Sequence, residues 1–261
     1  MMQLVAADAL RSHHRVFTAA FKREIDLNLG RSPFSFIAAV LEPVFTIGIV
    51  CAWHYTVAFL PPYGTDVVLF YSTGMFALFT FVHLSLASRN SMAAFARNRR
   101  YPAEKALEGL LAAAALKIIT YVMVGVCLFA AIYALRTPQA APWNWSPILE
   151  SMAALICMGL GVGLCSAVMQ QYLSWWRFVW SIIARLQLLL SGVLMVPDHL
   201  PAYIRDALAW NPLLHPIGLF RQGFYPQYPK FLYSEAYMWG WAFGSLVVGL
   251  VVMRLFRRKI G

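Results

Sequence analysis

Long apolar stretches alternate with short charged ones along this chain. Six stretches reach or approach the roughly 20 residues a helix needs to cross a bilayer: 34–59, 67–87, 107–135, 151–172, 178–196 and 236–256. Ahead of the first, residues 8–30 carry a different pattern. Leu10, Phe17, Phe21 and Ile25 recur at helical spacing, with Arg11, Arg15, Thr18, Lys22 and Asp26 on a neighbouring face. Gly30 is a natural C-cap and Pro33 prevents continuation. A basic amphipathic helix just before a span is expected to lie in the membrane plane.

Between the fifth and sixth spans, residues 197–234 are apolar but not continuously so. Leu200, Tyr203, Ile204, Ala207 and Leu208 form one helical stripe. Trp210-Asn211-Pro212 interrupts it, because proline disfavours helix at the preceding residue. A second stripe covers Leu213–Phe224, and Tyr225-Pro226-Gln227-Tyr228-Pro229 excludes helix after that. Two short helices about an Asn-Pro corner predict a re-entrant or interfacial hairpin. Irregular backbone at membrane depth requires cover by protein or a water-filled cavity, which points to a gate or channel mouth. The plainer alternative is a surface hairpin at the interface.

Composition supports this reading. Apolar residues make up 61% of the 261-residue chain, charged residues only 12%, and mean hydropathy is +0.63. That excludes an ordinary soluble globule and a disordered tail. The expected fold is all-α integral membrane: six transmembrane helices, an N-terminal interfacial helix, and a re-entrant helical hairpin on the outer side between helices five and six. The net charge of +10 fits cytoplasmic loops beside anionic lipid better than nucleic acid. Fifteen Lys and Arg fall in the N-terminal segment, the loop after span two, the loop after span four and the C-terminal tail, against four on the other side. The positive-inside rule therefore places both termini in the cytoplasm. No signal peptide is expected, since a long charged segment precedes the first apolar run.

Charges inside spans are costly and are candidates for function. Glu42, followed by Pro43, lies in the first span; Lys117 lies in the third and has a stem long enough to snorkel. Arg185 lies in the fifth, beyond the cluster Trp175-Trp176-Arg177-Phe178-Val179-Trp180. It is expected either to meet an anion in a cavity or to pair with Glu42. His83 is expected to be a hydrogen-bonded bundle histidine. Tryptophan and tyrosine gather at span ends as belt anchors, although aromatic walls also stack on sugar rings. The cysteines Cys51, Cys127, Cys157 and Cys165 lie in apolar runs without metal-ligand spacing. No P-loop motif, HExxH or GxSxG is present. No catalytic constellation, no metal site and no ATP site are therefore expected in this chain.

The order of interfacial helix, six spans and outer hairpin resembles the ABC-2 type permeases. Several strings resemble their capsular-polysaccharide export branch: Arg23-Glu24-Ile25, Leu41-Glu42-Pro43, Ser191-Gly192-Val193 with Pro197, and Trp210-Asn211-Pro212-Leu213-Leu214-His215 followed by Arg221 and Tyr225-Pro226. Ser32-Pro33-Phe34-Ser35-Phe36 departs from the Leu-Gly-x-Leu-Trp run common in the wider family, which leaves the glycan open. The resemblance implies a homodimer in the bacterial inner membrane, docked on two copies of a cytoplasmic subunit that holds the ATP and Mg. The loop 89–101, with Arg97, Arg99 and Arg100, would couple to that ATPase, assisted by Arg23 and Glu24. A lipid-linked acidic polysaccharide would pass a path for which Arg185, Lys117, Trp176, Trp180, Tyr71, Phe76 and Glu42 are candidates. Trp210, Asn211, Pro212, His215 and Arg221 would shape a periplasmic gate. A periplasmic adaptor and an outer-membrane channel would receive the chain. The rival readings are another ABC-2 cargo (O-antigen, teichoic acid, lipid or drug), a six-span transferase, or a channel.

Overall fold

A computed structural model describes residues 17–26, 34–57, 61–97, 105–230 and 232–260, with side chains over 17–26, 41–57, 61–92, 107–230 and 232–255. All regular structure among them is helical. Helix α1 covers 17–26. It is followed by α2 (Phe34–Val57), α3 (Val67–Arg97), α4 (Lys105–Leu135), α5 (Trp145–Tyr172), α6 (Trp176–Leu190), α7 (Ala202–Ala209), α8 (Leu214–Gln222) and α9 (Glu235–Ile260). Short 3-10 turns sit at Pro138–Ala140 and Pro197–His199.

Among the described residues, α3, α4, α5 and α9 are each long and apolar enough to cross a membrane. Helix α2 has 24 residues and α6 only 15. At ~1.5 Å per residue α6 spans about 22 Å, short of a ~30 Å hydrocarbon core. The fifth apolar stretch, expected over 178–196, thus ends early as helix. Gly192 at φ +71° turns the chain there, a conformation open to glycine because it lacks a Cβ.

Other boundaries shift for local reasons. Helix α3 continues unbroken to Arg97, absorbing the first part of the loop expected over 89–101. Nothing in Arg89–Arg97 breaks a helix. Helix α5 starts at Trp145, six residues before the expected span, because Asn144 caps it by accepting from the Ser146 N–H at 3.0 Å.

The bundle is organised on α3 and α5. Helix α3 packs along α4 and α5, and α5 in turn along α9. The α5–α9 crossing is close: a Cβ on Gly161 would lie 2.3 Å from the Ser245 carbonyl carbon, and one on Gly249 2.6 Å from the Gly161 carbonyl oxygen. Small residues here let backbones touch, as in many membrane interfaces. The short helix α8 sits at one end of the bundle, wedged against α5 and α3, and Leu214 through Arg221 are all buried. By contrast, α6 buries none of its residues.

Candidate functional site

The segment Ser191–Ser234 forms the hairpin end of the molecule. Its two short helices, α7 and α8, meet at the Asn-Pro corner. The Asn211 side chain accepts from the Leu213 N–H (3.2 Å) while its Nδ2 donates to Gln187 Oε1 (2.7 Å) and the Leu190 carbonyl (2.9 Å). One amide therefore shapes the corner and ties it to the end of α6. Pro212 commits the chain to the bend. Trp210 is 78% exposed, its carbonyl accepting from the Tyr237 hydroxyl at 2.9 Å.

His215 is buried against the start of α9. Ser234 N–H donates to its Nδ1 (3.2 Å), so the proton sits on Nε2, which donates to the Ala209 carbonyl (3.0 Å). Tyr237 and Tyr233 pack edge-on to its ring. Burial holds the imidazole below its usual range.

Among the described residues Arg221 is the largest fully buried side chain. It donates to the carbonyls of Gly192 and Val193 (both 2.6 Å) and to the Tyr228 hydroxyl (3.1 Å), and its guanidinium lies 3.9 Å from the Phe70 ring centroid. Its Nε has no partner. The other side of the pocket is Gly74, where a Cβ would come within 2.5 Å of the guanidinium. Arg221 thus joins α3, the turn after α6, α8 and the Tyr228 loop at one point. Asp198, in the same link, is partly buried with one carboxylate oxygen lacking a donor, and desolvation raises its pKa.

A second polar cluster lies nearer the opposite end, where an exposed Glu42 on α2 meets a largely buried His83 on α3. Glu42 Oε1 is 3.5 Å from His83 Nε2. The His83 ring packs on Tyr121 (5.5 Å) and Phe79 (6.0 Å), and Lys117 is close enough to interact electrostatically. Glu42 therefore meets His83. Arg185, the partner considered from sequence, is exposed on α6 and has no ion pair among the described residues.

The other path candidates are dispersed. Tyr71 is buried, its hydroxyl bonded to His54 Nδ1 at 2.9 Å. Phe76 is buried among Tyr121, Phe129 and Phe220. Trp176 Nε1 donates to Ser166 Oγ at 2.7 Å, holding the start of α6 to α5, and Trp180 packs partly against the core. The coupling candidates fall mostly elsewhere. Arg23 and Glu24 sit on α1 and Arg97 ends α3, while Arg99 and Arg100 lie outside the described residues.

Sequence reasoning had no signal for Phe70 or Gly74 as partners of Arg221, since they lie about 150 residues away in the chain, and none for Tyr228, which is near in sequence but reached only because the chain turns back after α8. Among the described residues no three His, Cys, Asp or Glu gather as a metal site.

Residues 15–225 match the ABC-2 type transporter family. The chain is 25% identical over 241 residues to the "Polysialic acid transport protein KpsM" of Escherichia coli, covering 90% of this chain and 91% of that protein. It is 24% identical over 250 residues to the "Capsule polysaccharide export inner-membrane protein BexB" of Haemophilus influenzae, covering 94% and 92%.

Proposed function

This chain belongs to the ABC-2 type transporter family, and from that premise we propose that it exports an acidic, lipid-linked polysaccharide as the permease subunit of an ATP-driven machine. The observation that carries the reading is the near-complete alignment with two relatives named for polysaccharide transport. The family match itself runs through the hairpin to Tyr225. The chain is a multi-pass protein of the inner membrane. In this reading both termini face the cytoplasm, α2 and the short α6 complete a set of six crossings, the bilayer thinning locally to match α6, and α7–α8 form a re-entrant hairpin on the periplasmic side.

Two features support a homodimer. Helix α6 carries Arg185 on a surface that also exposes Phe178, Ile182, Leu186 and Leu189. A guanidinium in mid-span cannot rest against hydrocarbon. A second protomer beside α6 would cover the apolar residues and leave Arg185 on a groove where an anionic glycan passes. The hairpin attaches to the end of this same helix through Asn211 and Arg221. A shift of α6 is thereby transmitted to Trp210 and the exit. The basic loop 89–101, with Arg97, Arg99 and Arg100, docks the cytoplasmic ATPase. A periplasmic adaptor and an outer-membrane channel receive the product. Lys117, close to the Glu42–His83 pair, offers a positive charge to the acidic glycan.

The test is co-purification from mild detergent followed by an ATPase assay. We expect a P-loop subunit to accompany the chain, and to be lost when Arg97, Arg99 and Arg100 are changed to Glu. Deletion should remove a surface glycan, with intracellular accumulation of its lipid-linked form. Recovery of the chain alone in several detergents, with no ATP hydrolysis, would overturn the reading.

A further inference from the structure

Two arginines meet, with no carboxylate to separate them, at the end of the bundle away from the hairpin. Arg89 lies in the last turn of the apolar stretch Val67–Met92 of α3, about 22 Å along the helix from Gly74 at ~1.5 Å per residue. It is 7% exposed, and its Nε and Nη1 are buried without a hydrogen-bond partner. Arg221 makes the contrast, since it too is enclosed but directs its donors at two carbonyls and a tyrosine hydroxyl. The charge that Arg89 meets is a second cation, Arg177. Neither arginine belongs to an ion pair among the described residues.

Local packing brings them together. Gly163 lets α5 come close to α3: a Cβ there would lie 2.5 Å from the Ser85 carbonyl oxygen and 2.7 Å from Ser88 Cβ. About one turn further along α5, Ser166 Oγ accepts from Trp176 Nε1 at 2.7 Å, which holds the start of α6 at the same level. Arg89 follows Ser88, and Arg177 follows Trp176. The start of α6 adds positive charge of its own. It has no side-chain cap and no acidic residue in its first turn, and Arg177 stands where a helix favours a carboxylate. The N–H groups of Trp176, Phe178 and Val179 are bonded to the carbonyls of Leu173 and Trp175; that of Arg177 is not among them. A first turn of the wrong sign and a buried guanidinium without an acceptor are each unfavourable. Their coincidence at one place marks a site for a group of opposite charge.

We propose that Arg89 and Arg177 hold the phosphate of a membrane lipid from the leaflet at the end opposite the hairpin. Guanidinium forks match phosphate oxygens in geometry. Arg89 is buried and Arg177 exposed, so a headgroup can enter over Arg177 and reach the donors behind it. The surroundings select a lipid over a soluble anion. Met169 and Tyr172 at the end of α5, and Trp175 in the turn, are exposed. They form an apolar and aromatic rim at headgroup depth, on which the glycerol and first methylenes would rest. A phosphate there offsets the repulsion between the two cations. It also ties α3 to the start of α6, the helix whose other end carries the hairpin. The site rests on the membrane reading above, and not on what is exported.

The test uses the full-length chain, delipidated in dodecyl maltoside, titrated with dioleoylphosphatidylglycerol and followed by native mass spectrometry. Dioleoylglycerol, which lacks the phosphate, is the control. The wild type should bind phosphatidylglycerol at least about tenfold more tightly, the worth of one charge-assisted hydrogen bond. Arg89→Gln and Arg177→Gln should each remove most of that preference, and Arg89→Lys should keep part of it. Arg254→Gln, at an exposed position near the same end of α9, should leave it unchanged. Melting temperatures separate a ligand site from a structural arginine. Phosphatidylglycerol should raise that of the wild type and not that of Arg89→Gln, and without lipid Arg89→Gln should be at least as stable as the wild type. Equal binding of the two lipids, an equal loss in Arg254→Gln, or a less stable lipid-free Arg89→Gln overturns the site. Inorganic phosphate at millimolar concentration that stabilises the wild type as well as phosphatidylglycerol does overturns the assignment to lipid. Loss of a co-purifying ATPase subunit from Arg89→Gln, with lipid binding unchanged, overturns it too, by giving the arginine to a carboxylate of that partner. Lipid binding is read without ATP or transport, so a failure of the export reading leaves this result separately decided.

Discussion

The buried arginine gives the sharpest test of the packing at the hairpin end. Arg221→Met keeps much of the side-chain volume but removes the guanidinium. The carbonyls of Gly192 and Val193 lose their donor, at about 1–3 kcal/mol each for an orphaned buried group. Loss of the stack on Phe70 adds ~0.5–2 kcal/mol. Against this, a desolvated charge with no carboxylate partner is relieved, worth several kcal/mol. The two sides nearly offset, so the single variant is a blunt probe. Coupling to Gly74 is sharper. Gly74→Ala in the native background puts a methyl 2.5 Å from the guanidinium and 3.3 Å from Val193 Cα, an overpacking cost of about 1–3 kcal/mol. With Met at 221 the closer contact disappears. A double-mutant cycle should then show Gly74→Ala costing less in the Arg221→Met background, by about 1–2 kcal/mol. Reversible unfolding in mixed micelles, followed by tryptophan fluorescence, measures the four corners. Costs that add to within ~0.5 kcal/mol would refute the argument, because Gly74 would then be small for a reason unrelated to Arg221.

Three further outcomes follow from the same contacts. Asn211→Ala removes two donated bonds and one accepted bond, at about 2–4 kcal/mol in all; Asn211→Asp should be worse, since a carboxylate would face Gln187 Oε1 and the Leu190 carbonyl, and the order is readable from proteolysis rates at the hairpin. His215 is held neutral, with its pKa below the ordinary 6.5. The unfolded chain takes up the proton first as pH falls, so its stabilising effect is complete above about pH 6.5 and declines below it. Melting temperatures between pH 7.5 and 5 should fall more steeply for the wild type than for His215→Gln, and equal slopes would exclude His215 as the source. Gly161→Leu forces a side chain into the backbone of Ser245 and Leu246 and should abolish stable membrane accumulation, whereas Gly244→Leu, with open space around it, should accumulate normally on an immunoblot.

The hydrophobic pattern along the chain was enough to locate the apolar helices and the short pair α7–α8, because burial in a bilayer imposes length and periodicity residue by residue. Asn211-Pro212 marked the corner for the same local reason: proline restricts the residue before it whatever surrounds the pair. Asn144 and Pro147 also carried a local signal for the early start of α5, although the apolar run does not begin until later. The role of Arg221 was not legible in this way. Its partners at Phe70, Gly192, Val193 and Tyr228 come from three separate segments, and no one-dimensional period relates them. The choice of His83 rather than Arg185 beside Glu42 likewise depended on which helix faces meet. So did the approach of Arg177 to Arg89, which Trp176 secures by bonding to Ser166. Sequence determines what each segment must do in a membrane, since that is a property of the segment and its solvent. Which side chains then share a pocket is a property of packing, and only the folded bundle decides it.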